Sequence, residues 1–132
     1  MLHTLGCSCI IDNGTGRTIC HERGVKDLLR ILTATPTLLA GSFIADKVVG
    51  KGAAALMTAG GVAAVYADTI SRPALEMLST YGITVTYCTC VPNIINRSGT
   101  DICPVERLCA DASTPTECLP LIQSFVNSLT QQ

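Results

Sequence analysis

Between residues 38 and 90 extended and helical segments alternate, and this alternation limits the possible folds more than any other feature of the chain. Residues 38–49 read as extended, with a break at Gly41, and Gly50 opens an Ala-rich helix over 51–59 that Gly60-Gly61 caps. Residues 62–67 form a continuously apolar short strand, and Ser71 is a good N-cap for a helix over 72–80. Gly82 separates that helix from a strand over 83–90, rich in β-branched residues. Strand-helix-strand-helix-strand at this spacing implies right-handed crossovers and a sheet with parallel pairs covered by helices.

The flanks complete an α/β domain. Cys7-Ser-Cys-Ile-Ile-Asp12 and Arg17-Thr-Ile-Cys-His21 are short strand-like runs joined by Asn13-Gly-Thr-Gly16, which predicts a hairpin. Val25, Leu28, Leu29 and Leu32 recur at helical spacing with Lys26, Asp27 and Arg30 between them, and Thr35-Pro36 must end that helix. After a turn-rich loop over 92–101, a helix starts at Cys103-Pro104 and runs to near Asp111. A last helix runs from 115 or 116 to about 129, with Leu119, Ile122, Phe125 and Val126 on one side. At 132 residues the expectation is one domain spanning 1–132.

Composition excludes several functions. A net charge of −1, no Lys/Arg run and only three Tyr, two Phe and no Trp leave neither the electrostatic footprint nor the stacking platforms of a nucleic-acid binder. The uncharged stretch 52–67 falls short of the ~20 residues a membrane span requires, and the longer stretch 77–96 is interrupted by Gly82 and Pro92. Residues 1–9 lack a basic n-region and an apolar h-region, so a cytoplasmic protein is expected. Low charge and abundant apolar residues make a homodimer plausible.

Eight cysteines, at 7, 9, 20, 88, 90, 103, 109 and 118, are many for a cytoplasmic chain. At least half read as small buried hydrophobes. Cys103 differs, because Pro104 at N1 and Glu106 at N3 place it at a helix N-cap, where unpaired N–H groups and the helix dipole lower a thiol pKa. Cys103 and Glu106 are therefore the candidate catalytic residues; the negative charge of Glu106 opposes a lowered thiol pKa, and the plainer reading is a helix-start signature in which Cys-Pro-x-Glu merely terminates the 96–101 loop. Cys7-x-Cys9 and Cys88-x-Cys90 each present two sulfurs on one strand face, so a four-thiolate metal site would form if their strands were neighbours. The x-spacing is not that of zinc ribbons, and no metal or other cofactor is expected.

Ala45-Asp-Lys-Val-Val-Gly-Lys-Gly-Ala-Ala-Ala55, Ser71-Arg-Pro-Ala-Leu-Glu76 and Asn96-Arg-Ser-Gly-Thr-Asp-Ile-Cys-Pro-Val-Glu106, in this order, resemble the DUF1893 family of small bacterial proteins over roughly residues 1–112. The resemblance implies a cytidine deaminase-like fold, a three-layer α/β/α sandwich on a mixed sheet. Deaminases bind zinc through a His or Cys near a catalytic Glu at one helix start and a Cys-x-x-Cys pair at the next. Residues 50–55 contain no His, Cys or Glu, and Ser71 and Ala74 stand where the second pair of thiolates is wanted, so zinc-dependent deamination is not expected.

What the implied fold retains is two helix N-termini over neighbouring strand ends, a place to receive a polar or anionic ligand. Lys47, Lys51, Ser71 and Arg72, with Asn96, Arg97 and Asp101 from the polar loop, are the candidate ligand-binding residues. An ordinary N-cap, a solvated surface and a turn are the plainer readings of the same residues. Two functions follow as expectations: a non-catalytic domain that binds a small molecule or a protein partner, or a thiol-dependent redox or metal-linked protein using Cys103.

Overall fold

The computed structural model describes residues 9–14, 16–20, 26–94, 104–112 and 114–130. Asn96, Arg97, Asp101 and Cys103, as well as Cys7 and His21, lie outside the described residues.

The expected hairpin is formed by β1 (Cys9–Asp12) and β2 (Arg17–Cys20), antiparallel with Ile10 opposite Ile19 and Asp12 opposite Arg17. Its turn is held by short side chains: Gly14 N–H donates to Asp12 Oδ1 at 2.9 Å, and Gly16 N–H to Asn13 Oδ1 at 2.9 Å. Helix α1 (Lys26–Ala34) buries Leu28, Leu29 and Ile31, and a 3-10 turn over Pro36–Leu38 follows it. Residues 39–41 form a turn, so β3 (Phe43–Val49) starts later than the extended run in the sequence suggested.

Helix α2 (Lys51–Ala59) has buried residues at every position from Gly52 to Met57. Its Ala-rich composition is the reason it fits there: small side chains let α1 and the later helices approach it from several sides above the sheet. Strand β4 (Ala64–Ser71) follows, then α3 (Arg72–Thr80) and β5 (Thr84–Val91). The chain continues through α4 (Pro104–Leu108) to α5 (Pro115–Thr130), which packs on α2 and α4. Helix α4 is shorter than expected, because residues 109–111 form a turn.

The five strands lie in the order β2-β1-β3-β4-β5. β3, β4 and β5 are parallel, as the alternation required, and β1 is antiparallel to both β2 and β3, which makes the sheet mixed. One large core joins Cys9 and Ile11 of β1, Ile44 of β3 and Val65 and Ala67 of β4 to the buried residues of α1, α2, α3 and α5. Ile10, with Ala45 and Tyr66 packed against it, forms a small second cluster on the other sheet face.

One irregularity runs across the parallel strands. The register passes from Asp46↔Ala67 to Val48↔Thr69 and from Ala67↔Tyr87 to Thr69↔Thr89, so that the ladder skips one rung at the shared level of Lys47, Asp68 and Cys88. Inward-facing positions change parity there, from Ile44 and Asp46 to Val49 on β3, and from Val65 and Ala67 to Ile70 on β4. No helix among the described residues is long and apolar enough to cross a membrane.

Candidate functional site

The two helix starts proposed as a ligand cradle sit at the C-terminal ends of β3 and β4. At α2 the N-cap is Gly50, which has no side chain to cap with. Glu106 of α4 caps the helix instead. Its Oε2 accepts from Lys51 N–H at 2.6 Å, and its Oε1 accepts from Ile94 N–H at 3.1 Å. The carboxylate is only 3% exposed, and a Cβ at position 50 would lie 3.0 Å from its Oε2, so Gly50 lets it approach. Lys51 Nζ reaches back across the same junction to donate to Ala110 O at 3.2 Å. A buried acid thus fills the anion position of this helix start.

At α3 the cap is local. Ser71 Oγ accepts from Ala74 N–H at 3.3 Å, and the residue is fully buried. Arg72 is exposed at the first turn, and Lys47 is half-buried on β3 at the level of the skipped rung. Both helix starts are therefore satisfied from within, one by Glu106 and one by Ser71.

An open concavity among the described residues lies one step away. A groove of about 310 Å³ runs between α3 and the turn joining α4 to α5, lined by Lys51 of α2, by Glu76, Met77 and Tyr81 from the α3 side and by Asp111 from the turn. Tyr81 is 47% exposed. Of the candidate ligand-binding residues in the described chain, Lys51 lines this groove, whereas Lys47, Ser71 and Arg72 do not. Glu76, Tyr81 and Asp111 escape sequence reasoning, since an exposed helix position and a turn carboxylate have no pattern that sets them apart from ordinary surface.

A second polar group gathers at the skipped rung. Tyr66 Oη donates to Asp68 Oδ1 at 2.9 Å and lies 3.4 Å from Cys88 Sγ. The contacts with Cys88 and then Asp68 raise the Tyr66 pKa above the usual phenol range. Asp46 is buried, and loss of hydration pushes its carboxyl up to about 7 although the Val48 and Lys47 N–H groups pull the other way; nearby Asp68 adds to the rise. Asp46 was legible in principle, because it shares the inward parity of Ile44 on β3.

The cysteine arrangement differs from the one a four-thiolate site needs. β1 and β5 are separated by β3 and β4, so Cys9 and the Cys88/Cys90 pair stand about 14 Å apart across the sheet, three strand spacings. Among the described residues no group of three or more His, Cys, Asp or Glu side chains is arranged to hold a metal ion. Cys109 and Cys118 are both fully buried; burial first, then the adjoining Cys118 thiol, pushes Cys109 up to about 12, and burial also raises Cys118. Neither supplies thiolate at neutral pH.

The architecture is that of an α/β domain built on a mixed five-stranded sheet. The model of a domain of unknown function, DUF1893 (TM1506), matches residues 1–126, and the chain belongs to that family. Its structure is similar to the crystal structure of the DUF1893 family protein TM1506 from Thermotoga maritima, with a TM-score of 0.85 and 26% identity over 93% of this chain and 83% of that one. No curated protein matches the chain.

Proposed function

We propose that the protein is a non-catalytic binding domain that holds a small polar molecule carrying an amino group in the groove between α3 and the α4–α5 turn. The groove carries the proposal. Two carboxylates, Glu76 and Asp111, line it together with one ammonium, Lys51, which already donates to Ala110 O, and the exposed Tyr81 adds an aromatic side chain, a group that favours cations. A cationic or zwitterionic ligand suits this charge balance, whereas at the helix starts, where the sequence leads one to expect a polar or anionic ligand, Glu106 occupies the α2 position.

The absence of deaminase zinc ligands from 50–55 and 68–74 supports binding over deamination, and a cytoplasmic bacterial setting with a cytidine deaminase-like fold belongs to the same reading. The alternative, thiol chemistry at Cys103, gains no support from the described cysteines nearest in sequence, since Cys109 and Cys118 are held as thiols by burial. Thermal-shift titration with a panel of amino acids, polyamines and nucleosides tests the proposal. At least one amine-bearing compound should raise the melting temperature, Asp111→Asn with Tyr81→Ala should abolish the rise, and Cys103→Ser should leave it intact. A rise that survives the double substitution places the ligand elsewhere; one that vanishes with Cys103→Ser favours the thiol reading.

A further inference from the structure

The two edges of the sheet are unequal. β2 has four residues and includes Arg17, the short charged edge that discourages further pairing. β5, at the other end of the order, has eight residues, Thr-Val-Thr-Tyr-Cys-Thr-Cys-Val, with no charge, proline or glycine. Among the described residues no strand pairs with its outer side. Thr84, Thr86, Tyr87, Cys88 and Thr89 are exposed.

The backbone of this edge has a defined phase. Thr84 N–H donates inward to Ala63 O at 3.3 Å, and in a parallel ladder alternate residues bond to the same neighbour. Thr84 and Thr86 therefore bond towards β4, and Val85 and Tyr87 direct their N–H and C=O groups outward. We propose that β5 pairs antiparallel with β5 of a second copy of this chain about a two-fold axis at Thr86, joining two five-stranded sheets into one.

Three features select a second copy as the occupant. The axis brings Val85 opposite Tyr87 of the other copy twice over, so all four outward groups of Val85 and Tyr87 on each strand find partners. The same pairing sets Tyr87, 44% exposed in the single chain, against a β-branched side chain, a favourable cross-strand pair. With no charge on the strand, the two-fold brings no like charges together, which is the usual obstacle to self-pairing. The pairing is confined to the segment before Cys88, where the skipped rung interrupts the regular strand.

Sedimentation equilibrium at tens of micromolar tests the interface. The wild-type chain should behave as a dimer of twice 13.8 kDa, and Thr86→Lys, which places two ammonium groups together on the axis, should weaken association at least about 100-fold with the melting temperature of the fold retained. Thr86 faces itself as a non-hydrogen-bonded pair, whose Cα separation of about 4.5 Å falls within disulfide range. Thr86→Cys in a Cys88→Ser background should therefore form a reducible dimer under mild oxidation. A wild-type chain that stays monomeric, a dimer untouched by Thr86→Lys, or a Thr86→Cys chain that does not cross-link would each overturn the proposal.

Discussion

Glu106 occupies the position where a phosphate or carboxylate ligand sits in helix-start binding sites, and it belongs to the chain itself. Because its two oxygens serve two N–H groups on separate segments, Lys51 at the start of α2 and Ile94 after β5, its removal orphans both. Glu106→Ala should lower the unfolding free energy by about 2–3 kcal/mol, more than loss of an ordinary N-cap, as read from urea titration. A loss below about 1 kcal/mol would mean that water replaces the carboxylate without penalty. Asp46 gives a prediction of the opposite kind. Its folded pKa of about 7 lies above the ~3.9 of an unfolded Asp, so the folded state binds the extra proton between those values. Its contribution to stability is complete below about pH 4 and is lost as pH rises through about 7, and Asp46→Asn should remove a decline of a few kcal/mol across that window. A wild-type stability profile with no component removed by Asp46→Asn in that range would sink the assignment.

At the scale of elements, the sequence signals that survived were those with local causes. Gly60-Gly61 ended α2 as expected: Gly60 N–H donates to Leu56 O, and Gly61 adopts φ +78, which an L side chain rarely does. Ser71 capped α3, and Pro104 opened α4. The boundaries that moved had tertiary causes. β4 runs four residues past the apolar run 62–67, because neighbouring strands pair with Thr69, Ile70 and Ser71 even though Asp68 interrupts the apolar pattern. Gly60 also has a role that no turn propensity reveals. Its φ of −79 suits any residue, yet a Cβ there would lie 2.6 Å from Leu39 Cδ1 and 2.8 Å from Leu39 Cβ. Gly60→Ala should therefore cost about 1–3 kcal/mol in thermal or urea unfolding, through overpacking against Leu39. A neutral substitution would show that the 36–41 segment yields easily.

At the scale of the whole molecule, the parallel β3-β4-β5 unit was readable because helix and strand alternate along the chain, whereas the placement of the hairpin beside β3 was not. That placement decides the chemistry, since it puts β1 and β5 on either side of two strands and so separates Cys9 from Cys88 and Cys90. The groove was equally hidden: Lys51, Tyr81 and Asp111 meet only because α4 and the following turn return to the start of α2. Both facts point to α2 as the centre of the molecule, with the sheet beneath it and α1, α3, α4 and α5 in contact with it. A helix enclosed on this many sides opens only when the packing around it is lost, while edge strands open by local fraying. Native-state hydrogen exchange should then show the amides from Ala54 to Met57 exchanging only through global unfolding, with rates that follow the full denaturant dependence. Amides of β2 and the outward-facing Val85 and Tyr87 should exchange far sooner in the monomer, and those of Val85 and Tyr87 should slow as the protein concentration rises if β5 pairs with its copy. Exchange of the α2 amides by a route independent of denaturant would place the stable centre of the fold elsewhere.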